Sequence, residues 1–169
     1  GYYVPLSHPP DMDERSTQAI SDEIVHDISK GVASTGIRTG VIGEVGNHFP
    51  MTPNEAKVLR ASAEAQVETG APILIHPGFH RDSPLPIMDI LISGGANPKN
   101  IIFGHLSLCF DKDWIRDLAD YGCYLEFDTF GLEWSELAAA QTTATTDFIV
   151  TNDNHRLEML EWLFEKGYG

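Results

Sequence analysis

Residues 72–105 read PILIHPGFHRDSPLPIMDILISGGANPKNIIFGH and decide the fold class of the chain. The run Pro72–His76 is short and apolar, which is typical of a strand buried on both faces. Residues 84–93 have the pattern of a helix, and Gly94-Gly95 ends it. The second apolar run, residues 100–105, predicts another buried strand. A strand, a helix and a strand in this order predict parallel β/α units.

The alternation of strand and helix patterns extends in both directions from this stretch. Thr52, Pro53 and Glu55 supply an N-cap, a proline at the first helical position and an acid at the third, which predicts a helix start. The other predicted elements are helices over residues 13–30, 53–68, 111–121 and 154–166 and strands over residues 37–45 and 123–128. We therefore expect one α/β domain over residues 1–169, with a long connection at 129–153.

The composition excludes several classes of function. The 169 residues include 25 acidic and 11 basic side chains, a formal net charge of -14, so nucleic acids and anionic membrane surfaces are poor partners. No apolar stretch approaches the roughly 20 residues that cross a bilayer. The sequence has no P-loop, GxGxxG or GxSxG motif. Cys109 and Cys123 lack CxxC spacing and no signal-peptide pattern is present, so we expect reduced cysteines and a cytoplasmic protein.

Four predicted strands end in residue types that bind metals, namely Glu44, His76, His105 and Asp128. The carboxyl ends of parallel strands face the same side of a sheet, so these side chains are expected to meet. A carboxylate and two imidazoles suit zinc, manganese or iron(II). A single histidine at a strand end is more often a structural residue, whereas a carboxylate in an apolar strand needs a partner. Three such residues at consecutive strand ends favour a metal site.

Other polar and aromatic residues on the same side of the sheet are weaker candidates. His8, His48 and His80 fall in loops that follow strands, where an imidazole either contacts a substrate or is simply solvated. The stretch Phe130–Trp134 directly follows a strand end, so it forms either a pocket wall or a packed loop. The sequence pattern leaves both interpretations open for each of these residues.

With these residues the sequence resembles the phosphotriesterase-like branch of the amidohydrolase superfamily, most closely its phosphotriesterase-related members. The resemblance covers nearly the whole chain and fails only around residues 138–146. The matching segments are GYYV (1–4), TGIRTGVIGEVG (35–46), AEAQVETGAPILIHPG (63–78), IFGHL (102–106) and GCYLEFDTFG (122–131). The resemblance implies a (β/α)8 TIM barrel and a metal-dependent hydrolase whose binuclear centre activates water toward an amide, an ester or lactone, or a phosphoester.

The resemblance also implies roles for single residues. Glu44 takes the place of the group that bridges the two metals, and His76 and His105 match ligands of the more exposed metal. The implied cofactor is a divalent metal, first zinc, with manganese, iron or cobalt as alternatives, and the implied partner is a small-molecule substrate. A glutamate at the bridging position favours a carboxylic amide or ester over a phosphotriester. The substrate-binding candidates are Tyr3, His80, Asp128, Phe130 and Trp134.

A barrel of this kind takes ~250 residues or more. We therefore expect this chain to supply the end of strand three and then strands four to seven. It contains no HxH motif, which the family carries on strand one, and the aspartate of strand eight would lie about ten residues beyond Gly169. We expect the chain alone not to turn over substrate, and the rest of its own barrel or a second chain to cover the sheet edges. The alternative is a catalytically silent fragment that serves as a structural or oligomerisation module.

Overall fold

The computed structural model describes residues 2–78, 80–108, 111–132 and 152–169, and it has the predicted α/β architecture. The four described strands form one parallel sheet in sequence order: β1 (Ile42–Gly46), β2 (Ile73–His76), β3 (Ile101–Phe103) and β4 (Tyr124–Leu125). The described helices are α1 (Thr17–Ser29), α2 (Pro53–Thr69), α3 (Pro84–Ser93), α4 (Lys112–Ala119) and α5 (Asp153–Glu165). Short 3-10 turns occupy Pro5–Ser7, Pro98–Asn100 and Leu106–Leu108.

The two central strands are buried on both faces, as their continuous apolar runs predict. Ile73 and Ile75 of β2 and Ile101 and Phe103 of β3 have no exposed surface. Helix α2 packs against both α1 and α3, and its capping box forms as predicted, with Thr52 and Glu55 each accepting the other's backbone N–H group. The core therefore lies between the sheet and these helices.

The register of the sheet brings the strand ends level with one another. Gly46 pairs with His76, and Ile75 pairs with Phe103. The pairing of β1 with β2 shifts between Ile42 and Val45, where three steps along β1 match two along β2. Glu44 lies inside this irregularity, and a bulge of this kind changes the direction in which a side chain points.

Several elements begin or end away from their predicted limits. The first strand starts at Ile42, and Thr39 in the segment before it donates to the carbonyl of Asp27 on α1 at 3.0 Å instead of pairing with the sheet. Helix α1 starts at Thr17, four residues after the predicted start, because Ser16 caps it by accepting the N–H group of Ala19. These local hydrogen bonds are not visible in the apolar periodicity from which the limits were predicted.

The two outer edges of the sheet differ. Residues 2–4 lie against β1, since the N–H group of Gly46 donates to the carbonyl of Tyr2 at 3.2 Å. On the other side, no described strand pairs with the outer edge of β4, and Tyr124 is 66% exposed. None of the described helices is long and apolar enough to cross a lipid bilayer.

Candidate metal centre

Three side chains from three neighbouring strands converge at the carboxyl edge of the sheet, although Glu44, which the sequence analysis places at a strand end, lies in the middle of β1. Glu44 lies on β1, His76 ends β2 and His105 follows β3. One ligand atom from each residue lies within 4.8 Å of the other two. Glu44 Oε1 is 2.9 Å from His105 Nε2 and 3.6 Å from His76 Nδ1. The two imidazole rings meet edge to face with centroids 4.8 Å apart.

The chemistry and the spacing of these three donors fit a divalent metal ion. One carboxylate and two imidazoles are the mixed oxygen and nitrogen donors that zinc accepts. Bonds of ~2.0 to 2.2 Å to a tetrahedral ion place neighbouring donor atoms roughly 3.5 Å apart. The distances from Glu44 to the two histidines bracket that value. Since all three donor atoms lie within 4.8 Å of one another, side-chain movements of about an ångström would bring them to this spacing.

The environment of His76 keeps its ring neutral. The side chain is buried, and burial, together with repulsion from His105, lowers the pKa of His76 below its ordinary value of 6.5. The carboxylate of Glu44 acts in the opposite direction but does not outweigh these effects. Because a histidine must be neutral to bind a metal, the site favours the form of His76 that is able to do so.

His105 is held from both sides. Its Nδ1 lies 2.6 Å from Asp128 Oδ2 and its Nε2 faces Glu44. Its backbone has a φ of 60°, in the left-handed region that non-glycine residues seldom adopt. Strained residues of this kind cluster at binding and catalytic sites. The strand end therefore departs from regular geometry where it presents this imidazole.

A small hydrogen-bonded group lies behind Asp128. Ser107 Oγ accepts the backbone N–H group of Thr129 at 3.0 Å and lies 2.5 Å from Thr129 Oγ1. The same hydroxyl group is 3.5 Å from Asp128 Oδ1. Ser107 has no exposed surface and Thr129 is nearly as buried. The peptide that follows Asp128 is thus bonded to the turn that follows His105.

A further carboxylate, which the sequence analysis did not single out, lies next to the cluster. Glu126 Oε2 is 3.0 Å from the position that a Cβ atom on Gly104 would take, and Glu44 Oε1 is 4.0 Å from the same point. Burial, and then the charges of Asp128 and Glu44, raise the pKa of Glu126. The signal was available, because Glu126 stands two residues before Asp128 and alternate residues of a strand share a face.

A buried carboxylate also supports the loop that follows β1. Glu55 has no exposed surface and accepts the backbone N–H groups of His48 at 2.6 Å and Thr52 at 2.7 Å, with His48 Nδ1 at 3.0 Å. Burial by itself raises its pKa, but the bonds from Thr52 and His48 outweigh burial and hold the pKa of Glu55 below its ordinary value. Glu55 was recognised in the sequence as a helix cap, but not as a support for His48.

The substrate-binding candidates lie in different places. The hydroxyl group of Tyr3 is 3.2 Å from both ring nitrogens of His76. His80 stacks on Phe49 with ring centroids 3.9 Å apart and an interplanar angle of 7°. Phe130 is 42% exposed and lies 6.0 Å below the guanidinium group of Arg156, a fully buried residue that the sequence analysis also missed. Trp134 lies outside the described residues.

Comparison with known sequences identifies relatives along the whole chain. The model of the phosphotriesterase family matches residues 1–169. An N-acetyltaurine hydrolase from Bos taurus is 36% identical over 169 residues, covering 99% of this chain and 47% of the relative. A phosphotriesterase-related protein from Nematostella vectensis matches with the same identity and coverage. The chain thus spans about half the length of the curated relatives it matches.

Solved structures agree with the sequence relatives. A phosphotriesterase homology protein from Escherichia coli, complexed with phosphate in the active site, has a TM-score of 0.83 and 30% identity, covering 99% of this chain and 53% of the other. A resiniferatoxin-binding protein from Rhodobacter sphaeroides has a TM-score of 0.89 and 31% identity, covering 99% and 45%. The four parallel strands are therefore part of a (β/α)8 barrel, as the resemblance implied. The chain belongs to the phosphotriesterase family.

Proposed function

We propose that the protein is a metal-dependent hydrolase in which Glu44, His76 and His105 bind the metal. The observation that carries this proposal is the convergence of three donor atoms within 4.8 Å from three separate strands. Relatives that carry the name hydrolase support the reaction class. The finer proposal is a binuclear centre in which Glu44 is shared between two ions, which requires ligands in addition to these three.

Zinc is our first choice of ion, with manganese, iron or cobalt as alternatives. Bound at this centre, such an ion supplies Lewis-acid polarisation of the scissile bond and a more acidic water molecule. The residues of the chain orient the reaction. Burial, and then the charge of Glu44, raise the pKa of Tyr3 above its ordinary value of 10.0, so its hydroxyl group stays protonated. Tyr3 is therefore placed to donate a hydrogen bond to a substrate oxygen beside His76.

We propose that the substrate is a small molecule with a carboxylic amide or ester bond. A glutamate at position 44, which the family resemblance implies would hold both ions, supports this class, as do the relatives named N-acetyltaurine hydrolase. Tyr3, the stacked pair of Phe49 and His80, and Phe130 would form the walls of the pocket. Asp128 and Trp134 remain candidates for contact with the substrate. Asp128 lies beside His105.

We further propose that other protein covers the outer edge of β4. Unpaired backbone groups on an edge strand are a template for further pairing. The relatives are about twice as long as this chain, which supports the rest of the same barrel as the covering element. A second copy of the chain is the alternative partner.

The test is an activity assay on the whole protein after loading with zinc or manganese. N-acetyltaurine, other N-acyl amino acids, a lactone and an aryl phosphotriester are compared, with His105→Ala as the control for the metal site. We expect hydrolysis of an amide at a rate thousands-fold above the control, since loss of a ligand removes several kcal/mol of transition-state stabilisation. Equal rates for the two proteins on every substrate would contradict the proposal.

A further inference from the structure

We propose that Ser107 is a positioning residue for the metal centre, acting through Asp128 on the ring of His105. The inference rests on the proposed function, because it concerns one of the three proposed ligands. It assigns a role to a buried hydroxyl group that no motif in the sequence indicates.

The side chains of His105 and Asp128 are in direct contact. His105 Nδ1 lies 2.6 Å from Asp128 Oδ2, and in this pair the ring nitrogen donates and the carboxylate oxygen accepts. This bond fixes the rotation of the ring and leaves Nε2 facing Glu44, 2.9 Å away. Histidine ligands in metalloproteins are commonly oriented by such a second hydrogen bond. Asp128 therefore decides where the metal-facing nitrogen of His105 points.

Asp128 is in turn supported by Ser107. The Asp128 side chain is 29% exposed, so packing alone does not fix it. Ser107 Oγ accepts the N–H group of Thr129, which belongs to the peptide bond directly after Asp128, at 3.0 Å. With Thr129 Oγ1 at 2.5 Å and Asp128 Oδ1 at 3.5 Å, the hydroxyl group also has polar neighbours on the side of the carboxylate.

The segment at His105 and the segment at Asp128 are joined by more than one side-chain contact. Ser107 lies in the 3-10 turn that begins one residue after His105. The bonds from His105 to Asp128 and from the Thr129 N–H group to Ser107 therefore join the same two chain segments at neighbouring points. The segment after Thr129 is also anchored, since Gly131 donates to Asp153 at the start of α5 at 3.0 Å. Removing the Ser107 hydroxyl group leaves the Thr129 N–H group without its acceptor beside Asp128, although the backbone bond from Leu106 to Glu126 still joins the two segments.

The experiment measures zinc affinity by competition with a chromophoric chelator, using the whole protein. Ser107→Ala is expected to weaken zinc binding about tenfold, the lower end of the range for residues that orient ligands. Ser62→Ala is the matched control. Ser62 is also a fully buried serine, on α2, and its hydroxyl group has no partner among the described residues. We expect this control to leave zinc affinity unchanged within about twofold.

A double-mutant cycle separates positioning from a general loss of packing. If Ser107 acts through Asp128, adding Ser107→Ala to Asp128→Ala causes no further loss of zinc affinity. Additive losses would overturn the proposal, as would equal losses in Ser107→Ala and Ser62→Ala. Thr129→Val removes the hydroxyl neighbour of Ser107 at similar volume, and a loss of zinc affinity in the same direction supports the role even where Ser107→Ala folds poorly.

The outcomes also distinguish this inference from the proposed function. A wild-type protein that binds zinc while Ser107→Ala binds it equally well overturns the inference and leaves the function standing. A wild-type protein that binds no divalent metal overturns both. The melting temperature of the metal-free variants provides the second readout, and we expect Ser107→Ala, which leaves the Thr129 N–H group without its acceptor, to lower it more than Ser62→Ala does.

Discussion

Glu44 Oε1 and His105 Nε2 lie 2.9 Å apart although 61 positions separate the two residues in the sequence. Two local departures from regular geometry accompany this contact. The pairing of β1 is irregular around Glu44, and His105 has a φ of 60°. The first departure lies within β1 and the second just after the end of β3, and each presents a donor atom to the shared centre. This combination is what a site selected for binding is expected to show.

Loss of a proposed ligand should remove a metal ion. We expect His76→Ala to bind at least one equivalent of zinc less than the wild type, as determined by elemental analysis after dialysis. His76 supplies one of the three converging donors. His26→Ala is the control, since His26 lies on α1 with a 53% exposed side chain. Unchanged zinc content in His76→Ala would remove this residue from the site.

We expect the metal site to require glycine at position 104, because a side chain there would contact its neighbours too closely. In Gly104→Ala the new Cβ atom would lie 3.0 Å from Glu126 Oε2 and 3.1 Å from the carbonyl oxygen of Ile75. We expect a loss of about 1 to 3 kcal/mol in unfolding free energy and weaker zinc binding. Gly40→Ala is the control, because nothing lies within 4 Å of its Cβ position. A stability of Gly104→Ala equal to that of Gly40→Ala would show that the space is not constrained.

The buried carboxylate of Glu55 should make stability depend on acid pH. Its pKa in the folded protein lies below its ordinary value of 4.5, so its contribution is complete well above pH 4.5 and is lost as the pH falls through the folded pKa. We expect Glu55→Gln to lose about 1 to 3 kcal/mol at pH 7. The difference from the wild type should shrink below pH 4.5, as measured by urea unfolding from pH 3 to 7.

The control for this effect is Glu64→Gln on the same helix. Glu64 is exposed, so we expect its replacement to change stability by less than about 0.5 kcal/mol at any pH. A difference between Glu55→Gln and the wild type that stays constant from pH 7 to pH 3 would contradict the assignment of an ionised, hydrogen-bonded carboxylate.

The outer edge of β4 should cause association when residues 1–169 are produced alone. Edge strands with unpaired backbone groups recruit further strands. We expect light scattering to show dimers or larger species, and Tyr124→Lys, at an exposed position of β4, to reduce them. A stable monomer of residues 1–169 would show that the outer edge of β4 needs no partner.

The main features of fold and site were predictable for one physical reason. Apolar runs such as Ile73–Ile75 identify buried strands, and parallel strands bring their ends together, so the proximity of Glu44, His76 and His105 followed from their positions. The residues that orient them did not follow, because Ser107 and Thr129 are ordinary polar residues with no spacing rule.

The first and last residues of some helices and strands could not be predicted from the sequence. The predicted strand over residues 37–45 begins with the apolar Ile37, yet this residue is 72% exposed and its carbonyl group accepts the N–H group of Val32. Apolar periodicity reports burial, and it fails where a backbone hydrogen bond to a neighbouring helix end competes with the sheet. The burial of Arg156 was also missed, because its i,i+3 pair with Asp153 is typical of an exposed helix face and its contact with the Leu132 carbonyl is identified only by the fold.

The most direct test of the proposed metal centre is a crystal structure of the zinc-loaded protein with anomalous diffraction recorded at the zinc edge. We predict an anomalous peak bonded to Glu44, His76 and His105 at ~2.0 to 2.2 Å from one atom of each residue. A peak bonded to none of these side chains, or no peak at full zinc loading, would contradict the account.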